Sequence, residues 1–236
     1  MMKVPVMEVF GPTIQGEGMV IGQKTMFVRT GGCDYSCSWC DSSFTWDGTL
    51  RSQLMNVNEI IRKLEEVGGE RFSHVTISGG NPALHKGIGE LVEACHQKGW
   101  KVAIETQGSI WQNWMMLVDD VTISPKPPSS NMETDFEKLD YYIEQLTGHN
   151  VSLKVVVFND QDFTYAKMIH KRYPSVPFFL QIGNNSVETD DNETLLSNLL
   201  NRYEWLIEKT TESVSMNNAR VLPQLHTLLW GNKRGV

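Results

Sequence analysis

Apolar residues recur along this chain at two spacings that take turns, and that alternation restricts the fold more than any other feature. Segments 74–78, 101–105, 120–124, 151–158 and 178–182 are short and rich in β-branched residues, which predicts strands. Around and between them, segments 57–67, 84–96, 136–146, 163–173 and 193–207 place apolar residues three and four apart, which predicts helices. In the first helix Val57, Ile60, Ile61, Leu64 and Val67 share a face. Asn56 with Glu59 reads as a capping box, and Gly68-Gly69 ends the helix. Two more β-rich stretches, 4–10 and 25–29, open the chain.

Strands alternating with helices imply an α/β fold with a mostly parallel sheet, either open and doubly wound or a partial or full barrel. In each of these, chemistry gathers at the carboxyl ends of the strands. The unusual residues fall there: the loop at 31–41, Ser78-Gly79-Gly80-Asn81-Pro82, Glu105-Thr106-Gln107-Gly108, Ser124-Pro125-Lys126, and Gln181-Ile182-Gly183-Asn184. A length of 236 residues, with no internal repeat and no long linker, suggests one domain spanning 1–236.

A net charge of -7 with no basic patch argues against nucleic acid as a partner. The first residues lack a secretory leader and no apolar run reaches membrane-spanning length, so a cytoplasmic protein with no membrane partner is expected. Three of the four cysteines lie within eight residues, a pattern of metal or redox work rather than of a disulfide framework. Cys95 sits on the apolar stripe Leu84, Ile88, Leu91, Val92 and reads as a small buried hydrophobe.

Cys33, Cys37 and Cys40 follow the spacing C-x3-C-x2-C, which lets three thiolates meet at one inorganic centre. A ferredoxin supplies a fourth cysteine, and none is near. Structural zinc needs a fourth ligand, and the nearest downstream histidine, His74, is distant in sequence. A [4Fe–4S] cluster on three thiolates keeps one iron open; zinc is the alternative.

This loop resembles that of the radical S-adenosylmethionine superfamily, which implies a partial (β/α) barrel. It also implies that S-adenosylmethionine chelates the fourth iron and is cleaved by one electron to methionine and a 5′-deoxyadenosyl radical. The flanks are more specific. Phe10-Gly11-Pro12-Thr13-Ile14-Gln15-Gly16-Glu17-Gly18, Phe27-Val28-Arg29, Trp39-Cys40-Asp41-Ser42, Thr76-Ile77-Ser78-Gly79-Gly80, Ile104-Glu105-Thr106-Gln107-Gly108 and Leu222-Pro223-Gln224-Leu225-His226 together resemble the 7-carboxy-7-deazaguanine synthase family. The likeness runs through nearly the whole chain. It implies a carbon–nitrogen lyase that contracts the ring of 6-carboxy-5,6,7,8-tetrahydropterin and releases ammonia, on the route to queuosine. A homodimer and a reductant such as flavodoxin or ferredoxin are implied as well.

Carried over residue by residue, the resemblance places Ile14, Gln15, Gly16, Glu17, Arg29 and Ser78 at the substrate. The planar fork of Arg29 suits a carboxylate. Ser42 stands where the family more often has threonine and where a hydroxyl ligates Mg2+. Trp39, Cys40, Asp41, Gly80, Glu105, Gln107, Ser124, Pro125, Lys126 and Gln181 are expected at the cofactor. The superfamily's Gly-Gly-Glu reads Gly79-Gly80-Asn81, so the ammonium contact shifts toward backbone carbonyls. No histidine is assigned a role, His226 included. Two rivals are a glycyl-radical activase, which usually lacks the Gln-Gly-Glu-Gly segment, and a non-enzymatic zinc or iron–sulfur binding module.

Overall fold

In the computed structural model, which describes residues 2–236, the first two β-rich stretches form a long hairpin. Strand β1 (Lys3–Ile14) pairs antiparallel with β2 (Lys24–Thr30), and a short β3 (Gln53–Asn56) adds to the outer edge of β1. Helix α1 (Val57–Gly68) follows directly. Both halves of its capping box are made: Asn56 accepts from the Glu59 amide, and Glu59 accepts from the Asn56 amide. Its buried face carries Val57, Ile60, Ile61 and Leu64.

From there the chain alternates: β4 (His74–Gly79), α2 (Ile88–Gln97), β5 (Lys101–Thr106), β6 (Asp120–Ile123), α3 (Phe136–Gln145), β7 (Val151–Val157), α4 (Asp160–Arg172), β8 (Phe178–Ile182), α5 (Asn192–Thr211), β9 (Ala219–Leu222) and α6 (Leu225–Trp230). The strands make one sheet in the order β3-β1-β2-β4-β5-β6-β7-β8-β9, parallel from β2 to β9. The order is linear, so β3 and β9 remain edges and the sheet is an incompletely closed, mostly parallel α/β barrel. The segment after β9 reaches back to the first hairpin, where the Leu225 amide donates to the Gly16 carbonyl at 3.1 Å.

Successive strand residues point to opposite faces, and the two faces differ in chemistry. Val75 and Ile77, Val102 and Ile104, Val121 and Ile123, Leu153, Val155 and Val157, and Leu180 and Ile182 are all buried in the hydrophobic core. The alternate residues run Thr76 and Ser78, Ala103 and Glu105, Thr122, Ser152, Lys154 and Val156, then Phe179 and Gln181. Strand register keeps them in line, with Glu105 beside Thr122 and Val156 beside Gln181. One face is therefore hydrocarbon. The other is mostly polar, with Ala103, Val156 and Phe179 set among its polar residues, and looks into the concave side. Cys95 is buried on the core side of α2, as its stripe predicts.

Several predicted boundaries move: β1 extends to Ile14 and α5 to Thr211, and two helices start elsewhere than expected. The helix expected from residue 84 begins at Ile88, because Pro82–Leu84 forms a separate 3-10 turn and His85 is extended, its ring bonded to the Gly31 carbonyl at 2.8 Å. Helix α4 starts earlier than 163, because Asn159 caps it by accepting from the Gln161 and Asp162 amides. Elements β3, β9 and α6 were not expected; each is six residues or shorter.

Backbone approach at the end of β4 is closer than a side chain permits. A Cβ on Gly80 would lie 2.0 Å from the Gly32 carbonyl oxygen, and Gly79 has φ +122 against Thr30. Gly80→Ala is expected to push the 31–33 segment away, destabilising the fold by about 1–3 kcal/mol in urea unfolding and lowering iron uptake. A variant of wild-type stability would show that this contact is not tight.

Candidate active site

The polar face of the sheet, the cysteine loop and the segment after β9 enclose a cavity of about 270 Å³ at the carboxyl ends of the parallel strands. Ile14, Gln15, Gly16, Glu17, Arg29, Trp39, Asp41, Ser42, Ser78, Gly80, Glu105, Gln107, Ser124 and Lys126 all line it, as do the three clustered cysteines. Two expected residues do not. Pro125 lies between two lining residues, and Gln181 is fully buried in β8, on the face it shares with the lining residue Val156. Both amide atoms of Gln181 are without a protein partner, which is costly for a buried group and suits one that a ligand or water satisfies.

Cys33, Cys37 and Cys40 are free thiols on one wall. Burial pushes Cys37 up to about 11, and it raises Cys33 and Cys40 as well; nearby thiols add to the rise at Cys33 and Cys37, and the Lys126 ammonium opposes it at all three. Metal-free, the loop thus holds neutral thiols that must lose protons to ligate. Donors face the sulfurs: the Tyr35 amide lies 3.4 Å from Cys33 Sγ and Gln107 Nε2 3.7 Å from it. Three soft ligands, N–H donors and a cation together suit an anionic iron–sulfur centre. Trp39 packs at 4.8 Å on Phe158 and donates to Ser129, while Lys126 Nζ lies 5.9 Å above the Trp39 ring.

A second wall carries Arg29. Its Nε donates to Glu8 at 2.6 Å and its Nη1 to Ser42 Oγ at 2.8 Å, and its guanidinium lies between the Phe10 and Phe44 rings at 5.5 and 5.6 Å. Ser42 in turn donates to Asp41 at 3.1 Å. The expected Mg2+ ligand and the expected carboxylate anchor are thus immediate neighbours.

The floor is a buried ionic group. Lys154 Nζ, on β7, donates to Glu17 at 2.6 Å and to Glu105 at 3.1 Å, and Gln15 donates to Glu105 at 3.3 Å. Gln224 donates to Glu17 at 3.1 Å, and His226 lies 3.8 Å from it. His226 packs so tightly on Gly16 that a Cβ there would meet its Nδ1 at 2.5 Å. Glu105 therefore belongs with Gln15 and Glu17, whereas Gln107 belongs with the cysteines. Among the described residues, Glu17, Asp41 and His226 bring their ligand atoms within 4.8 Å of one another.

Sequence reasoning missed Lys154, Gln224 and Glu8, and it gave no role to His226, which the structure places against Glu17 and Gly16. Lys154 was discoverable: it is the one charged residue in Val151-Ser152-Leu153-Lys154-Val155-Val156-Val157 and shares the parity of Ser152. Burial alone would raise the Glu17 pKa, but the Lys154 and His226 charges and the hydrogen bonds from Lys154 and Gln224 overcome it and hold the carboxyl below its ordinary value. The paired carboxylates likewise hold Lys154 above its ordinary value despite burial. Glu17 thus contributes stability above its usual pKa of 4.5, lost as pH falls toward about 2. Lys154 contributes below 10.5, lost only as pH rises beyond that value. In Lys154→Met, burial acts on Glu17 unopposed by that charge. The variant should lose about 3–5 kcal/mol in urea unfolding, with a larger deficit near pH 8 than near pH 5. An equal deficit at both would contradict this reading.

Comparison with known proteins agrees with the geometry. Residues 27–121 match the Radical SAM superfamily. The chain is 60% identical over 238 residues to 7-carboxy-7-deazaguanine synthase of Bacillus cereus, covering all of both proteins. It is 58% identical over 239 residues to the synthase of Bacillus subtilis strain 168, covering 99% of this chain and 98% of the relative. The crystal structure of QueE from Escherichia coli shares the fold with a TM-score of 0.69 at 22% identity, covering 95% of each chain. The superfamily implies an iron–sulfur cluster and S-adenosylmethionine as cofactors, which the thiol wall fits. With full-length identity at this level, the chain belongs to the 7-carboxy-7-deazaguanine synthase family of radical S-adenosylmethionine enzymes.

Proposed function

We propose that this protein converts 6-carboxy-5,6,7,8-tetrahydropterin to 7-carboxy-7-deazaguanine with release of ammonia, in queuosine biosynthesis, and that residues 1–236 do so as one domain. The observation that carries the reading is the meeting of three features in one cavity: the three-thiol wall, the Arg29–Ser42 wall and the Glu17–Lys154–Glu105 floor.

Each feature suits one part of the reaction. Cys33, Cys37 and Cys40 hold the [4Fe–4S] cluster, with Gln107 and Lys126 offsetting its negative charge. Trp39, Asp41, Gly80 and Ser124, which line the cavity, surround S-adenosylmethionine; Pro125 and Gln181 adjoin lining residues, and a ligand or an ordered water would satisfy the two unpartnered amide atoms of Gln181. When bound, the pair supplies the one-electron chemistry that removes hydrogen from C6 of the pterin.

The chain's own residues bind and orient. A pterin presents an N–H and an amino group side by side, and carboxylates accept from both; Glu17 is held ionised for that task by Lys154, which also donates to Glu105 beside it. Ile14, Gln15, Gly16 and Ser78 complete the pocket, and the stacked Phe10 and Phe27 rings, 4.8 Å apart and 4° from parallel, give it a flat apolar wall. Arg29, fixed through Nε and Nη1, suits the substrate carboxylate. Mg2+ on Ser42, with Asp41 adjacent, would share that carboxylate and neutralise charge during rearrangement.

The reading includes a flavodoxin or ferredoxin as reductant, a cytoplasmic location and a homodimer. The faces at 136–146 and 195–206 are its candidate interfaces; Tyr141, Leu196 and Leu200 are exposed there. No helix among the described residues is long and apolar enough to cross a membrane.

Anaerobic incubation of the reconstituted protein with the carboxytetrahydropterin, S-adenosylmethionine, reductant and Mg2+ should give 7-carboxy-7-deazaguanine by mass spectrometry. Cys37→Ala should give none. Absence of product from the wild type, or product from Cys37→Ala at the wild-type rate, contradicts the assignment.

A further inference from the structure

We infer that Asn81 is a positioning residue that clamps the cysteine loop to the ends of β4 and β5, and not a ligand of the bound cofactor. It stands where the superfamily pattern has a glutamate, directly after the glycine pair, yet Asn81 is fully buried. Gly80 lines the cavity; Asn81 does not.

The hydrogen bonds of its side chain leave nothing to spare. A carboxamide offers two N–H donors and one oxygen with two lone pairs. Here Nδ2 donates to Asp34 Oδ1 at 2.8 Å and to Ser109 Oγ at 3.1 Å. Its Oδ1 accepts from the Ala83 amide at 3.1 Å and from Thr106 Oγ1 at 2.9 Å. All four bonds are internal, so turning the amide toward a ligand would break buried bonds. Its own backbone amide donates to the Gly32 carbonyl at 2.8 Å, one residue before Cys33.

Asp34 is the other jaw. It follows Cys33, and its Oδ1 also accepts from Gln107 Nε2 at 2.6 Å. Side chains from the ends of β4 and β5 thus converge on one carboxylate oxygen beside the first thiolate ligand. A glutamate at 81 would bring a second carboxylate from a fully buried position against that of Asp34, which is unfavourable. An amide at 81 and a carboxylate at 34 are complementary, so the departure from the superfamily pattern and the aspartate after Cys33 form one device.

The test is hydrogen exchange of the Tyr35, Ser38 and Cys40 amides in metal-free protein, paired with iron bound after anaerobic reconstitution. Each of those amides is hydrogen-bonded within or from the loop. Asp34→Ala should speed their exchange by roughly tenfold and lower iron retention against a chelator, because a charge-assisted bond is lost. Asn81→Asp should do the same through like-charge contact. Asn81→Asp combined with Asp34→Asn, which reverses the direction of the bond, should return exchange and iron toward wild type.

Asp34→Ala changes an exposed side chain, so it decides the question even if Asn81→Asp fails to fold. Unchanged exchange in Asp34→Ala overturns the clamp. So does an Asn81→Glu protein that binds S-adenosylmethionine more tightly with its loop exchange unaltered. Neither readout involves a pterin, so failure here is distinct from failure of the substrate assignment.

Discussion

A parallel strand has two faces, and in this sheet helices cover only one of them with hydrocarbon. The other must be polar, buried and satisfied at once. A buried charge costs several kcal/mol unless paired, so a lysine on the concave face demands carboxylates within reach. Lys154 finds two, one from β5 and one from the segment after β1. That pairing joins parts of the chain far apart in sequence, and His226 and Gln224 from the far end close onto the same Glu17. An open sheet becomes an enclosed cavity by ionic and hydrogen-bonded contacts rather than by strand pairing.

The cavity is electrically divided. On one side lie thiols raised by burial, with Lys126 beside them to favour their ionised form. On the other lies a lysine between two carboxylates, and the charges of Lys154 and Glu17 stay fixed across the neutral range. Arg29 stands on a further wall between two aromatic rings, its Nε spent on Glu8. The site thus offers an acceptor-rich floor, a cationic anchor and a soft metal wall within one small volume. Its polar side chains are held by one another, and such fixed groups are how a protein directs reactive chemistry supplied by cofactors.

Much of this was legible in the residues because the relevant signals are local. The C-x3-C-x2-C spacing, the glycine pair at 79–80 and the polar residues ending each strand sit beside one another in sequence, and they converge because parallel strands end on one side. The capping box of α1 is equally local and is fully formed. What stayed hidden depends on contacts between distant residues. Glu8 looks ordinary until β1 meets β2, and Gln224, though within a family-like segment, gains its partner only when the segment after β9 returns to Gly16. The short elements β3, β9 and α6 carry too few residues for a periodic signal, and Leu54 in β3 is largely exposed. Asn81 could be seen as a departure from a pattern, but its four internal bonds could be seen only in three dimensions.

The central claim is that three cysteines form an incomplete ligand set whose open position faces the cavity. Electron–nuclear double resonance of the reduced, anaerobically reconstituted protein, with S-adenosylmethionine carrying 15N in its amino group, tests it most directly. The account predicts a nitrogen hyperfine coupling large enough to require a bond to cluster iron. No coupling, with Cys95 or another protein side chain filling the fourth position, would contradict it.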